Sequence, residues 1–225
     1  FYNCSSLASV TIPDNVTSIG EYAFYGCTGI TSLTIGSGIK TIGNKAFNGC
    51  NSLATVVFNA DSCTSVGSYN SSSGYYPAFY NLGSITSFTL GNNVKSIPSY
   101  LCYGLSGLTS VTIPNSVKYM SDHAFYGCSG LTSVSIGTGI TNIRSYDFYN
   151  CSSLASVTIP DNVTSIGNYA FYNCSGLASI SIPNNVISIG SQAFGNCSNL
   201  ASVAFNADSC VYAGGTSGNR VFYGR

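Results

Sequence analysis

Ten cysteines and a single histidine are the side chains in this sequence that could form disulfides, hold a metal or act as nucleophiles. Seven of the cysteines recur at 23-residue intervals, in two runs: Cys4, Cys27 and Cys50, then Cys128, Cys151, Cys174 and Cys197. If that interval is a structural repeat, successive cysteines lie about 4.8 Å apart, which a disulfide permits. A disulfide framework and a ladder of buried thiols both fit, and the runs of like-facing side chains favour buried thiols.

Metal binding and acid–base catalysis have little support in the sequence. There is no Cys-x-x-Cys pair, and one histidine cannot complete a zinc set. His123 occupies a repeat position that elsewhere holds Tyr100, Lys45 or Gln192, which predicts a solvent-facing side chain. The seven acidic residues do not align in one column of repeats. We therefore expect no enzyme activity, no catalytic residue, no metal and no cofactor.

Two substitutions depart from the repeat. Asp147 stands where other repeats have Ala124 and Ala170, so either this column is half-exposed or the carboxylate has a partner such as Arg144. Cys102 replaces the following phenylalanine and leaves a void that its neighbours must fill. Both are interpreted as packing variants.

One repeat, residues 151–173, shows which elements must position these side chains. Apolar alternation over 157–159 predicts a short strand with one buried face. Turn residues follow at 160–162, and the apolar pair within 163–166 indicates a second extended segment. The rest of the repeat is long enough for one helical or 3₁₀ turn. Each coil is thus a strand, a turn, a second extended piece and a short turn.

The fixed period predicts a solenoid, in which each unit buries its apolar face against its neighbours. We expect one domain over residues 1–225, with about nine units. One unit is lengthened to 32 residues, and its Gly, Ser and Tyr content predicts a looped-out insert near 67–77. The chain begins and stops within a unit, which indicates a fragment of a longer array.

Composition restricts the class of partner. Charged residues are 6% of the chain, with seven basic and seven acidic side chains scattered singly. This pattern predicts no electrostatic surface for nucleic acid or for an anionic membrane. No apolar run approaches the length of a membrane-spanning helix. Neither nucleic acid binding nor direct membrane insertion is expected.

Two repeated arrays are the candidate binding faces. The first consists of strand hydroxyls that point away from the core. Its candidate residues are Thr112, Ser135 and Thr158. The second is a stripe of tyrosines that follow the Phe of each repeat, and an alternative role for it is to shield the core. Its candidate residues are Tyr103, Tyr126, Tyr149 and Tyr172.

The pattern CxxLxSVxIPxxVxxIGxxAFxxC, which recurs along essentially the whole chain, resembles the BspA-like leucine-rich repeats of bacterial and some protist surface proteins. The resemblance implies a β-rich leucine-rich-repeat solenoid of α/β type. It would be a curved right-handed coil stack with one parallel sheet and short 3₁₀ or helical turns. It also implies an extracellular or cell-surface location and a role in adhesion or protein binding.

These observations favour a non-enzymatic binding or adhesion module that recognises protein or glycan on a host or neighbouring cell. One alternative is a structural stalk or spacer, in which the surface columns are interchangeable. The other is a surface that matches a lattice, such as ice or crystalline polysaccharide, through the Ser-x-Thr strand face. Curvature argues against the lattice, because a flat lattice needs a flat face.

Overall fold

The computed structural model is a β-solenoid in which each repeat forms one coil. It describes residues 1–70, 74–207, 210, 212–213, 221–222 and 224. The strands in these residues are β1 (Ser9–Ile12), β2 (Ser18–Ile19), β3 (Ser32–Ile35), β4 (Thr41–Ile42), β5 (Thr55–Phe58), β6 (Ser65–Asn70), β7 (Gly74–Pro77), β8 (Ser87–Leu90), β9 (Ser96–Ile97), β10 (Ser110–Ile113), β11 (Tyr119–Met120), β12 (Ser133–Ile136), β13 (Asn142–Ile143), β14 (Ser156–Thr158), β15 (Ser165–Ile166), β16 (Ser179–Ile182), β17 (Ser188–Ile189), β18 (Ser202–Phe205) and β19 (Tyr212–Ala213).

The first strands of successive coils pair in parallel, as the repeat predicts. Val111 lies opposite Val134, and Val134 lies opposite Val157. Exposed and buried residues alternate along these strands, so the valines face the core while the flanking Ser and Thr face outward. The hydrogen-bonded order is β1-β3-β5-β8, then β10-β12-β14, then β16-β18. The expected parallel sheet is present, with its ladder interrupted at two places.

A second parallel ladder runs beside the first. Its strands are two residues long in most coils, as in Ser165–Ile166 and Ser188–Ile189, which pair in register. Its parallel order is β2-β4-β6, then β9-β11, then β13-β15-β17-β19, and β7 extends the first group by pairing antiparallel with β6. The second extended piece of each repeat is therefore a true strand, and the solenoid has two parallel ladders where the sequence predicts one sheet.

Stacked phenylalanines fill the side of the core opposite the first strands. Phe24 and Phe47 lie with ring centroids 5.2 Å apart and an interplanar angle of 4°. Phe148 and Phe171 repeat the arrangement at 5.2 Å and 8°. Cys102 interrupts the column, and the neighbouring Leu101 is fully buried beside it. Each ring stacks on the next coil, so the coils stabilise one another through this column.

The turn before each cysteine contains i→i+3 hydrogen bonds, for example from Cys27 N to Phe24 O at 3.2 Å. These bonds are of the 3₁₀ type, but no helix forms in the residues that the structure describes. The reason is a left-handed residue at each end of the turn, such as Tyr22 at φ 55° and Gly26 at φ 69°. The second of these positions is Gly or Asn in every unit, the residue types that adopt this conformation most easily.

The long unit contains a hairpin where the sequence predicts a loop. β6 and β7 pair antiparallel, with Gly67 opposite Pro77. Gly67 has φ 93°, and a Cβ there would collide with the carbonyl of Tyr76, so this close approach needs glycine. The centre of the predicted insert, residues 71–73, lies outside the described residues.

Candidate functional site

The cysteine column is a ladder of buried thiols. Its members Cys27, Cys50, Cys128, Cys151, Cys174 and Cys197 are free and buried, whereas Cys4 in the first coil is exposed. The Sγ of Cys128 donates to the carbonyl of Cys102 at 2.9 Å, and the Sγ of Cys174 donates to the carbonyl of Phe148 at 3.2 Å. Burial raises the pKa of Cys128 to about 12. These thiols join consecutive coils and do not serve as nucleophiles, because the thiolate is the reactive form.

His123 faces solvent only in part, whereas the sequence predicts a solvent-facing side chain. It is half-buried, with its ring centroid 5.2 Å from that of Tyr100 and 4.7 Å from that of Tyr146. Burial lowers the pKa of His123, which favours the neutral imidazole. The exposure is lower than predicted because residues of this column stack on one another and cover each other's faces. His123 is thus one ring of an aromatic ladder.

That ladder has two adjoining columns. Tyr126 and Tyr149 stack at 4.7 Å. Each is tilted against a ring of the second column, Tyr149 against Tyr146 at 5.6 Å and 47°, and Tyr126 against His123 at 5.7 Å and 32°. Eight half-buried rings form the aromatic ladder. They are Tyr100, Tyr103, His123, Tyr126, Tyr146, Tyr149, Tyr169 and Tyr172. Because the faces of the inner rings cover one another, the ladder exposes ring edges and polar tips. The Tyr223 position of the predicted stripe lies outside the described residues.

The structure also brings the predicted strand-face residues together. Thr112 lies opposite Ser135, and Ser135 lies opposite Thr158, on the three-stranded sheet β10-β12-β14. All three side chains are exposed. A depression of about 360 Å³ lies beside Thr112 at the interruption between β8 and β10. One of about 780 Å³ lies beside Thr158 at the interruption between β14 and β16. The strand face is therefore a regular patch bounded by two concavities.

Asp147 is completely buried, so the column it occupies is not half-exposed. Its Oδ2 accepts a hydrogen bond from the backbone N–H of Arg144 at 2.8 Å, and its Oδ1 accepts one from Ala124 N at 3.4 Å. Burial raises the pKa of Asp147 to about 8, although the two backbone hydrogen bonds act to lower it. The guanidinium of Arg144 pairs instead with Asp122, with Nε 3.2 Å from Oδ1. Arg144 is thus the partner of Asp147 through its main chain.

Arg144 occupies a position that is glycine in many coils. At Gly43 and Gly190 an added Cβ would lie closer than 3.0 Å to the backbone of the preceding coil. The N–H at this position usually bonds to the preceding coil, as Gly167 N does to Ile143 O at 2.8 Å. Ser121 is small enough to keep that bond, at 2.9 Å to Ile97 O. Arg144 N donates to Asp147 instead, and the second ladder is interrupted between β11 and β13.

This interruption leaves a depression of about 400 Å³, here called the β11–β13 depression. Its charged, aromatic and amide-bearing lining residues are Lys118, Tyr119, Asp122, Asn142 and Arg144. None of these was a candidate site residue from the sequence alone. The signal was present as two departures in one repeat, Arg for Gly and Asp for Ala three residues later. The depression that results could not be predicted from the sequence alone, because it depends on how the coils stack.

The described part of the chain contains no group of three or more His, Cys, Asp or Glu side chains placed to hold a metal ion. Among those residues there is also no helix with the length and apolar character of a membrane span.

Comparison with known proteins gives a consistent result. The sequence matches the family described as BspA type Leucine rich repeat region, in six copies over residues 1–73 and 72–201. A leucine-rich repeat protein of T. pallidum superposes with a TM-score of 0.60 at 26% identity, covering 76% of this chain and 78% of that one. A leucine-rich repeat protein from Eubacterium ventriosum superposes with a TM-score of 0.50 at 20% identity, covering 91% of this chain and 65% of that one. No curated protein matches the sequence.

Proposed function

The chain belongs to the BspA-type leucine-rich repeat family, and from that membership we propose a non-enzymatic binding module of a cell-surface or secreted protein. It recognises protein or glycan on a host or neighbouring cell through an extended repeat face. Repeat proteins of this architecture present long surfaces in which each coil adds a similar contact. Affinity then comes from many weak contacts spread over adjacent coils, unlike an interface in which a few hot-spot residues dominate.

The aromatic ladder is the observation that carries this proposal. Tyr103, Tyr126 and Tyr149 lie in register at ring separations of 5.0 and 4.7 Å. Tyrosine combines an apolar body with a polar tip and loses little conformational entropy when it binds, which makes it an efficient contact residue. Stacking holds these rings in place before any partner arrives. A preorganised array of this kind lowers the entropy lost on association.

The absence of enzyme activity is part of the proposal and is supported by where the titratable groups lie. His123 is packed among tyrosines, and burial raises the pKa values of the Cys128, Cys151 and Cys174 thiols. The carboxylate of Asp147 is enclosed and accepts hydrogen bonds from two backbone N–H groups. A general base must reach the proton it abstracts from a substrate. None of these groups is placed for that role.

A stalk remains the main alternative, and a lattice-binding face is less favoured. Lattice matching needs a flat and regular strand face, whereas concavities flank the patch of Thr112, Ser135 and Thr158.

The test of the proposed function is a survey of the purified chain on a glycan array and on immobilised host-surface proteins. The variants replace Tyr103, Tyr126 and Tyr149 of the aromatic ladder, or Thr112, Ser135 and Thr158 of the strand face, by alanine. Saturable binding that either set of variants weakens supports the binding module. Absence of saturable binding, or binding that neither set of variants changes, supports the stalk.

A further inference from the structure

We propose that the β11–β13 depression binds a carboxylate-bearing sugar residue of an acidic polysaccharide. This inference rests on the proposed function and names a partner class and a site for it. The depression lies next to the aromatic ladder, because Asp122 directly precedes His123 in the chain.

The depression is a local departure from the repeat and not a feature of every coil. It lies where Arg144 replaces glycine and where Asp147 takes over the backbone N–H that would otherwise bond to the preceding coil. Its volume of about 400 Å³ falls in the range of small-ligand sites, about 300–1,000 Å³. The concavity thus has the dimensions to receive a sugar residue.

The charge of the depression is positive, although the whole chain is neutral. Lys118 and Arg144 line it together with one acid, Asp122, which pairs with Arg144. Lys118 N donates to the carbonyl of Lys95 at 2.8 Å, so a third exposed cation lies on the adjoining coil. The buried Asp147 has its pKa raised to about 8 by desolvation, so at neutral pH it adds little opposing charge. This grouping is not visible in the sequence, where Lys95 and Lys118 are 23 residues apart. It appears because stacking places the two lysines on neighbouring coils.

The other lining groups suit a sugar more than a phosphate backbone. Tyr119 is 73% exposed, and its ring offers an apolar surface to the C–H groups of a pyranose. The amide of Asn142 and the guanidinium of Arg144 can bond hydroxyl and carboxylate oxygens, the latter in a bidentate manner. Two cations beside an acid are few for nucleic acid, whose affinity depends on neutralising many phosphates.

The test uses the full chain and an oligogalacturonate as the probe, with a neutral galactan oligosaccharide of equal length as its comparison. Binding is measured by calorimetry at two salt concentrations. We expect oligogalacturonate to bind, the neutral oligosaccharide to bind at least tenfold more weakly, and salt to weaken the acidic probe. Lys118→Ala, Tyr119→Ala and Arg144→Gln should each weaken oligogalacturonate binding about three- to tenfold.

Lys40→Ala and Ile187→Ala are matched controls, because both residues occupy the Lys118 column in other coils and both are exposed. They should leave the affinity for oligogalacturonate unchanged. Equal weakening by Lys40→Ala and Lys118→Ala would show diffuse electrostatic attraction and overturn the site. Failure of oligogalacturonate to bind would also overturn it, while binding of another glycan that the aromatic-ladder variants weaken would leave the proposed function intact. Thermal melts of each variant identify any loss of affinity that comes from unfolding.

Discussion

The carboxylate of Asp147 accepts a 2.8 Å hydrogen bond from the backbone N–H of Arg144, replacing the bond that a coil usually makes with the coil before it. Two unusual residues three positions apart thus compensate each other. Arg144 separates the coil from its predecessor, and Asp147 satisfies the N–H that the separation leaves without its usual partner. A buried N–H without a partner would be costly, which explains why the two substitutions occur together in this repeat.

The first prediction concerns pH. The pKa of Asp147 is raised to about 8 in the folded chain from 3.8, so between these values the folded state holds a proton that the unfolded state has lost. The contribution of Asp147 is therefore most favourable below pH 4, and it is lost as pH rises towards 8. The free energy of unfolding should fall by up to about 1.4 kcal/mol per pH unit in that window. Urea unfolding between pH 5 and 8 measures this slope.

Asp147→Asn keeps an acceptor for Arg144 N and removes the titration, so it should flatten the profile. Asp161→Asn, at an exposed position, is the control and should keep the wild-type slope. His123 is present in all three proteins, so its titration cancels in the comparison. The same slope in wild type and Asp147→Asn would contradict the assignment.

The second prediction concerns the thiol ladder. Cys151→Ala removes a buried side chain and its hydrogen bond to Phe125 O, whereas Cys4 is exposed. We expect Cys151→Ala to lower the free energy of unfolding by about 1–2 kcal/mol. Cys4→Ala should change it by less than about 0.5 kcal/mol. Chemical denaturation of both variants provides the comparison.

Thiol reactivity is an independent test of whether the cysteine thiols are buried and free of disulfides. A thiol-specific reagent at pH 8 should react promptly with Cys4 and slowly with buried cysteines such as Cys128, whose pKa is raised to about 12. After denaturation without reductant, all ten cysteines should react. Fewer than ten would reveal disulfides and reverse the interpretation.

The third prediction concerns Asn81, the left-handed residue that precedes Leu82, which stands in the cysteine position of its unit. Asn81 is exposed and has φ 57°. Asn81→Ala should destabilise the chain by about 1 kcal/mol, because an alanine Cβ is strained in this conformation. Asn81→Gly should be neutral or slightly stabilising. Equal urea midpoints for the two variants would show that backbone strain does not explain the Gly or Asn preference here.

Much of the fold was predictable because each repeat has the same pattern. The spacing of Val111, Val134 and Val157 predicts their parallel register, and the structure confirms it. The second ladder was harder to predict, since two apolar residues such as Val163 and Ile166 do not distinguish a strand from an extended turn. The hairpin at Gly67 was missed because composition alone favours a loop.

The candidate site was less predictable, because it depends on contacts between coils. The tyrosine and strand-face arrays follow from periodicity, and the structure places each set in register. The burial of His123 depends on rings from neighbouring coils, which no single repeat reveals. The β11–β13 depression depends on a missing ladder contact, and its cations are 26 residues apart in sequence, at Lys118 and Arg144.

The proposed function requires this chain to bind its partner through an extended face. The most direct measurement compares dissociation constants for the tightest glycan or protein found in the binding survey. The proteins compared are wild type, the Tyr103/Tyr126/Tyr149→Ala variant, the Thr112/Ser135/Thr158→Ala variant and the six single changes. We predict that one triple variant weakens binding about 30-fold while its single changes cost about threefold each. Full affinity in both triple variants would contradict the claim and identify these arrays as the surface of a stalk.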